Sequence, residues 1–400
     1  KYVSEHWYAE YSFCIYNLKR GLFPPVSGAF QNYFVDEMGS PIRSEIWACV
    51  APGDPQLAAS LAWMDSSLDH TGGEGRWGEM FWAAAESAAF VIQDRRKVIE
   101  IGLSMIPISS NIYRVIREAM WCYDNGWEWG AARERIATLF GHLQPCNAIP
   151  NHGFSVIGLL YGKDYGEVLC KAVNCGFDTD CTGATTGSLM GIMYGTAGIP
   201  QKWIQPIGDT ITPCGPTVKE GLPKTLAELT DRTVAIAKQF IAAKSSIIEL
   251  GDKTVIPDNV FTLMYKNEKV RKLLTVDPHC SIRKVDDVEI IFHYGGEPVL
   301  YPDTVWTYEL EVVKADKNLT VADLQITAPA GWDLSAPVLS DGKYTFTVLT
   351  KQVEPKNSLT IAFKVADKNY SSEFVLIGPA AVTRIPGANS VPRELDPTKK

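Results

Sequence analysis

Two aspartates one residue apart, Asp178 and Asp180, stand near the start of the segment CGFDTDCTGATTGSLMGIMYG (175–195). Gly176 is typical of a helix end, so Asp178 is expected at the start of the next helix, where a carboxylate accepts from free backbone N–H groups. Capping explains one aspartate and leaves Asp180 unexplained. Two carboxylates this close repel unless a cation lies between them or one is protonated, and Mg²⁺, Mn²⁺ or Ca²⁺ suits such ligands. The residues alone leave capping and metal binding open.

Glycines follow this pair at every fourth position: Gly183, Gly187, Gly191 and Gly195. Each glycine costs a helix roughly 1 kcal/mol relative to alanine, but a glycine face lets neighbouring backbones approach closely. The spacing therefore predicts a helix seated deep in a bundle, with the aspartates held at its N-terminus. A buried central helix without any ligand fits the same pattern.

A second group of chemically competent residues is the turn DHTGGEG (69–75), which places His70 and Glu74 just before a predicted helix. The imidazole and the carboxylate suit an acid-base pair, with the glycines making room for a substrate. A turn with a helix-capping histidine is the alternative. In PNHGF (150–154), Asn151 and His152 are interpreted as helix caps, and Arg43 with Glu45 as a structural ion pair.

Helical patterns fill the first part of the chain, such as the one that opens with Asp54 as N-cap and Pro55 at the first helical position. From Val288 onward the pattern alternates, as in VWTYELEV (305–312), which predicts short strands. We expect an all-α domain over 1–250, a linker over 251–284, a β-sandwich of immunoglobulin or fibronectin type over 285–380 and a tail over 381–400.

Composition narrows the classes of function. The chain of 400 residues has a formal net charge of -8, which argues against a nucleic-acid partner because phosphate-binding surfaces need clustered Lys and Arg. No apolar run reaches the length of a membrane-spanning helix, so we expect no membrane span. Nine dispersed cysteines, with no CxxC pair, favour buried free thiols over disulfides or structural zinc.

Around the two aspartates the sequence resembles the ADP-ribosylglycohydrolase family, whose late motif reads approximately G-G/W-D-T-D-x-x-G-A. NCGFDTDCTGATTGSLMGIMYGTAGIP (174–200) matches it, and so do GSPIRSEIWACVAPGDPQLAASLAWMDSSLDHTGGEG (39–75) and GIPQKWIQPIGDTI (198–211). The resemblance covers roughly residues 15 to 245. It implies an all-α fold and a pair of Mg²⁺ ions, with Mn²⁺ as an alternative, which assist cleavage at the anomeric carbon of ADP-ribose.

Carried over by position, the resemblance makes Asp178 and Asp180 metal ligands. It makes His70 the histidine near a diphosphate, and Ala29 with Phe30 the loop that cradles adenosine and phosphate. The family's next residue, a Thr or Ser hydroxyl ligand, is Cys181 here, a soft ligand poorly suited to Mg²⁺. The hydroxyl of Thr182 or an altered site are the two interpretations.

The family's early Thr/Ser-Asp-Asp motif is not found before GLFPPVSG (21–28), so the other half of the metal site is expected upstream of this chain or is missing. The expected function is a Mg-assisted hydrolase acting on a ribosyl or other furanosyl bond of a small-molecule, ADP-ribosyl or glycoside substrate. The alternative is a catalytically silent binding protein. The sandwich favours a secreted or periplasmic location and the free cysteines a cytoplasmic one, and both stay open.

Overall fold

The computed structural model describes residues 9–213 and 220–379, which divide into two compact units. Within these ranges a helical unit comprises 36–66 and 73–276, and a β-rich unit comprises 9–35, 67–72 and 277–379. The helical N-terminal region and the antiparallel β region confirm the predicted fold class. The division does not coincide with the expected boundary at residue 250, since 9–35 and 67–72 belong with the strands. The predicted tail lies outside the described residues, as does Cys214.

Fifteen α-helices are found in the described residues. They are α1 (Ala9–Arg20), α2 (Val26–Ala29), α3 (Ser44–Val50), α4 (Pro55–Ser66), α5 (Glu74–Ala89), α6 (Arg95–Ser104), α7 (Asn111–Asp124), α8 (Trp129–Phe140), α9 (Ala148–Tyr161), α10 (Tyr165–Asn174), α11 (Thr179–Gly198), α12 (Gln201–Ile204), α13 (Leu226–Lys244), α14 (Val260–Tyr265) and α15 (Glu268–Leu273). A 3₁₀ turn, Pro41–Arg43, precedes α3. None of the described helices combines the length and the apolar character needed to cross a membrane.

Capping side chains fix where several of these helices begin. Asp54 accepts the backbone N–H of Leu57 at 3.1 Å at the start of α4, as the sequence predicts. Ser110 caps α7 and Asp164 caps α10 in the same way. Each such cap satisfies a backbone N–H group that has no partner inside its helix.

Two helices of the helical unit, α5 and α9, are buried along almost their whole length. Of the 14 residues of α9, all but two are fully buried, and α5 buries the rings of Phe81 and Trp82. Gly78 of α5 permits the close approach of the two helices, because a Cβ there would lie 2.5 Å from the ring of His152. Any larger residue at that position would force the helices apart.

The glycine face of α11 differs from its prediction. The buried residues of α11 are threonines, Leu189 and methionines, whereas its glycines are half-buried or exposed. Gly183 does approach α10 closely, with a Cβ position 3.1 Å from Val173. Gly195 adopts φ +65° and interrupts the helix. The glycines therefore allow α10 to pack closely against one side of α11, and Gly195 ends the regular part of the helix. The side chains that bury α11 in the bundle are its threonines, Leu189 and its methionines.

The β-rich unit has ten strands in two antiparallel sheets among the described residues. They are β1 (Cys280–Val285), β2 (Val288–His293), β3 (Val305–Lys314), β4 (Lys317–Asn318), β5 (Ala322–Thr327), β6 (Asp333–Leu334), β7 (Val338–Ser340), β8 (Lys343–Leu349), β9 (Lys356–Val365) and β10 (Lys368–Ile377). The larger sheet runs β1-β2-β3-β8-β6, with β4 on β3 and β7 on β8, and the smaller runs β10-β9-β5. Tyr308, Leu310 and Val312 share the buried face of β3, as the alternation predicts.

Aromatic rings join the two sheets into a sandwich. Phe292 of the larger sheet stacks on Phe374 of the smaller one, with ring centroids 5.0 Å apart. Leu22, Val26 and Phe30, in and around α2, are part of the same core. The backbone of this N-terminal segment also bonds to β1, where Ile282 N donates to Pro24 O at 2.9 Å. These contacts explain why residues 9–35 belong to the β-rich unit.

The segment expected as a linker, 251–284, contains the helices α14 and α15 and most of β1. Met264 and Val270 are buried in the helical unit. Their burial shows that much of this segment is integral to that unit rather than a connection between units.

Carboxyl groups are buried beside each other in the helical unit. Arg43 pairs with Asp65 at 2.8 Å rather than with Glu45, so the predicted Arg43–Glu45 pair is wrong. Burial raises the pKa of Glu45 to about 7, and burial with the nearby Glu45 charge raises the pKa of Glu86 well above its usual range. Burial, with Glu86 and Glu45 nearby, also raises the pKa of the Cys49 thiol to about 11. Folding thus favours the neutral form of each of these groups relative to the unfolded chain.

This difference predicts how stability changes with pH. Because the pKa of Glu45 is raised in the folded state, its contribution is fully present below its ordinary pKa near 4.5 and is lost as pH rises through about 7. Urea unfolding across this range should show a falling free energy of unfolding, and Glu45→Gln should reduce the fall by on the order of 1–2 kcal/mol. Glu249→Gln, at an exposed position, is the control. Equal pH slopes for Glu45→Gln and the native chain would contradict the assignment.

Candidate active site

A tight turn between α10 and α11 presents Asp178. Gly176 has φ +81°, as its predicted role at a helix end requires, and Phe177 follows at φ +64°. Two successive left-handed residues reverse the chain so that Asp178 occupies the N-cap position of α11. Phe177 is held by ring packing on the buried Phe154 of α9, with centroids 5.3 Å apart. A phenylalanine is unusual in this conformation, so the packing offsets a local backbone cost.

Hydrogen bonds from α8 and α9 hold the same turn. Asn151, which is fully buried, accepts the backbone N–H of Asp178 on Oδ1 at 3.1 Å. Its Nδ2 donates to Pro145 O at 2.8 Å and to Asn147 O at 2.7 Å. Arg133 Nε donates to Cys175 O at 2.9 Å. The backbone at Asp178 is therefore fixed by groups on two neighbouring helices.

Asn151 and His152 were predicted as helix caps, and that interpretation is wrong. The cap of α9 is Asn147, whose Oδ1 accepts the N–H of Ile149, and both predicted residues lie inside the helix. His152 Nδ1 donates to Ala148 O at 2.6 Å, and its ring lies against Trp82. Burial lowers the pKa of His152 to about 4. It is a neutral core histidine, and no periodic pattern around it distinguishes it from a cap.

The carboxyl of Asp178 does not cap the helix that it begins. It makes no hydrogen bond to the first turn of α11, all of which is described. Instead it lies near the thiols of Cys181 and Cys146, whose pKa values it affects, and beside the carboxyl of Asp180. Asp178, Asp180 and Cys181 each offer a ligand atom, and these atoms lie within 4.8 Å of one another. Of the two interpretations left open by the sequence, capping is not what this side chain does.

The electrostatics of this cluster are those of crowded anionic groups. The pKa of Asp178 is raised, first by burial and then by Asp180, against the lowering effect of the thiols of Cys181 and Cys146. Burial and both carboxylates raise the pKa of the Cys181 thiol. Burial, then the charges of Asp178, Glu37 and Asp180, raise the pKa of Cys146 to about 11. A bound cation would reverse the electrostatic part of every one of these shifts.

Two of these neighbours, Glu37 and Cys146, were not found from the sequence. Residues 36–38 pair with residues 146–148, since Met38 N donates to Cys146 O at 2.9 Å and Ala148 N donates to Asp36 O at 2.7 Å. This pairing places Glu37, only 6% exposed, beside Cys146. The adjacent acids Asp36 and Glu37 were a signal in the sequence. No signal marked Cys146, because its proximity depends on a long-range pairing.

Glu74, predicted as half of an acid-base pair, is engaged with the backbone of α7. Its two carboxylate oxygens accept the N–H groups of Asn111 at 2.8 Å and Ile112 at 3.0 Å. Its own N–H donates to Asp36 Oδ1 at 2.7 Å, and burial raises its pKa. These contacts give Glu74 a structural role at a helix N-terminus, and its catalytic role stays a prediction.

His70, Ala29 and Phe30 belong to the β-rich unit, where the structure brings their loops together. Asn32 Nδ2 donates to Gly28 O at 2.9 Å and to Asp69 O at 2.5 Å, and a Cβ on Gly28 would lie 2.9 Å from Asp69 N. His70 is fully buried, with Nδ1 2.8 Å from Asp69 Oδ1. Its Nε2 has no hydrogen-bond partner among the residues that the structure describes.

The ring of Phe30 is 1% exposed and belongs to the core of the β-rich unit. The guanidinium of Arg20 lies over it at 4.8 Å from the centroid. Ala29 beside it is half-buried. The predicted stacking of this ring on a base, like the substrate-binding roles of Ala29 and His70, stays a prediction.

Comparison with known families gave one match. The model of the ADP-ribosylglycohydrolase family matches residues 10–240, more than half of the 400 residues. Neither the curated proteins nor the solved structures that were compared with the chain gave a match. The matched range contains Asp178, Asp180 and the residues that hold their turn.

The role of Asn151 leads to a test. Asn151→Ala removes the bonds to Asp178 N and to the carbonyls of Pro145 and Asn147, of which those to Asp178 and Asn147 are buried. We expect the free energy of unfolding to fall by about 2–4 kcal/mol in urea titrations. Asn125→Ala, which removes one exposed bond to Trp121 O, should cost less than about 1 kcal/mol. Similar losses for both variants would show that Asn151 does not hold the turn.

Proposed function

We propose that this chain, which belongs to the ADP-ribosylglycohydrolase family, hydrolyses a glycosidic bond at a ribose or another furanose with the help of a divalent cation. The observation that carries the proposal is the carboxyl of Asp178. It stands at the N-terminus of α11, is not used to cap it, and lies with Asp180 in one cluster of ligand atoms. A pair of uncompensated carboxylates at a fixed helix end is what a cation site needs.

The carboxylates fit a divalent cation, which Asp178 and Asp180 would hold. The family expectation of two Mg²⁺ ions, or of Mn²⁺, fits less well because Cys181 adjoins the same atoms and thiols are poor ligands for Mg²⁺. A cation bound there would orient the sugar and lower the pKa of a bound water. We therefore propose a divalent cation at this site and do not specify Mg²⁺.

The protein's own contribution is to hold the carboxylates in place before the substrate arrives. Asn151 fixes the backbone N–H of Asp178, and Arg133 fixes the carbonyl of Cys175 three residues earlier. Because both partners lie on packed helices, Asp178 loses little freedom when it binds a ligand. Displacing the turn by an ångström would misplace the carboxylate relative to the sugar.

The proposed substrates are molecules that carry a ribosyl or other furanosyl group. ADP-ribosyl groups on proteins, ADP-ribose esters and furanosides all present the bond at an anomeric carbon that such a site would cleave. We further propose that the β-sandwich is an immunoglobulin- or fibronectin-like accessory module, since its two antiparallel sheets pack through Phe292 and Phe374. Such a module favours a glycan or glycoside substrate, by analogy of architecture alone.

Substituting the carboxylates tests the proposed activity. In the full chain supplied with Mg²⁺, Mn²⁺ or Zn²⁺, release of sugar from ADP-ribosylated protein, ADP-ribose esters and a panel of furanosides should be measured. Asp178→Asn and Asp180→Asn should each lower the rate by about a hundredfold or more, since even an outer-shell partner of a metal can be worth that much. The matched control, Asp231→Asn on the exposed face of α13, should leave it unchanged.

Isothermal titration of the same proteins provides a readout independent of turnover. The native chain should bind a divalent cation, and the double variant Asp178→Ala with Asp180→Ala should not; equal heats would refute the site. If the chain binds a cation but turns over no substrate in the panel, the result contradicts the hydrolase and supports a ligand-binding protein.

A further inference from the structure

The cluster of side chains at the start of α11 has a composition that is unusual for a magnesium site. Two carboxylates, Asp178 and Asp180, share it with the thiol of Cys181, and all three ligand atoms lie within 4.8 Å of one another. A second thiol, that of Cys146, is close enough for the charges of Asp178 and Asp180 to raise its pKa. Thiols are therefore part of the immediate surroundings of the carboxylates rather than distant neighbours.

The position of Cys181 is determined by the helix. It is the third residue of α11, and its sulfur lies within 4.8 Å of the ligand atoms of Asp178 and Asp180. A cation that binds the Asp178 and Asp180 carboxylates would therefore lie within reach of the sulfur. The thiol is half-buried, so it is neither sequestered from a ligand nor free to turn fully into solvent.

Divalent cations differ in the ligand atoms that they prefer, and this difference decides which of them suits two carboxylates and one thiol. Mg²⁺ requires hard oxygen ligands in near-octahedral geometry, and thiolate sulfur is a poor substitute for a hydroxyl or water. Zn²⁺, Co²⁺ and Fe²⁺ accept both oxygen and sulfur ligands, and Zn²⁺, which binds thiolate, imidazole and carboxylate, is usually four-coordinate. The set of two carboxylates and one thiol matches the second group.

We propose that Asp178, Asp180 and Cys181 together bind a thiophilic divalent cation, of which Zn²⁺ is the model, in place of the Mg²⁺ that the family resemblance implies. This inference rests on the proposed function only in taking the cluster as the cation site. On binding, the sulfur–hydrogen bond of Cys181 breaks, the proton leaves to solvent, and the sulfur binds the cation as a thiolate. The fourth position is left to water or substrate, as in a catalytic zinc site.

Cobalt provides the direct test, because a thiolate bound to Co²⁺ gives a sulfur-to-metal charge-transfer absorption that oxygen ligands do not. The full chain is freed of metal with a chelator and titrated with Co²⁺ alone. We expect the charge-transfer band in the native chain and its loss in Cys181→Ser and in Cys181→Ala. Two controls, Cys170→Ser at an exposed position of α10 and Cys146→Ser, should keep the band.

Competition gives the second readout. The ratio of Zn²⁺ to Mg²⁺ affinity, measured by titration calorimetry, should fall by about tenfold or more in Cys181→Ser, since a hydroxyl restores a hard ligand and removes a soft one. A ratio that does not change overturns the proposal. So do Co²⁺ binding without the band, a band that persists in both Cys181 variants, and a band that is lost in Cys146→Ser instead.

Failure here is distinguishable from failure of the proposed function. Sugar release supported by Mg²⁺, with no sulfur-to-cobalt band, would leave the hydrolase standing and remove the thiolate ligand. A band that depends on Cys181, with no sugar released from any substrate, would establish the metal site and remove the hydrolase. Far-UV circular dichroism of each variant checks that the helices are retained.

Discussion

The candidate site depends on the hydrogen bonds that the side-chain amide of Asn151 forms. One amide oxygen accepts the N–H of Asp178, and the amide nitrogen donates to the carbonyls of Pro145 and Asn147, the residues on either side of Cys146. A single buried side chain thereby joins the turn before α11 to the segment before α9. The meeting of Asp178 with Cys146, and through residues 146–148 with Glu37, follows from this junction.

The site also contrasts with the other buried carboxyls of the helical unit. Glu79 is fully buried, yet its carboxylate accepts from Trp47 Nε1 at 2.9 Å and from Ser40, and Arg43 lies 3.8 Å away. Among the residues that the structure describes, Asp178 forms no ion pair with a cationic side chain, and its neighbours Asp180 and Cys181 are acidic groups themselves. Glu79 is a polar group that the fold has satisfied. Under the proposed function, Asp178 is a carboxyl that the fold positions and that a bound cation satisfies.

Much of this arrangement was predictable from local sequence. The helix start at Asp54, the helix end at Gly176 and the strand face of Tyr308 follow from capping and periodicity, which act over a few residues. The DTD motif located the candidate site for the same reason. Asn151 was misread as a cap, because its partners lie 6 and 27 residues away and no local pattern encodes them. The prediction that the glycine face of α11 is buried was wrong, because a four-residue spacing shows that one helix face lacks side chains but does not show which face is buried.

The chain's route between its two units has a consequence for dissecting the molecule. Within the described residues it passes from one unit to the other four times, at 35–36, 66–67, 72–73 and 276–277. Leu22, Val26 and Phe30, which precede the first crossing, are core residues of the β-sandwich. A gene shortened at residue 250 would therefore leave these three side chains without the strands they pack against. The β region is therefore not a separate domain that simply follows the helical unit in the sequence. The two units are interleaved along the chain, and no single truncation yields either of them intact.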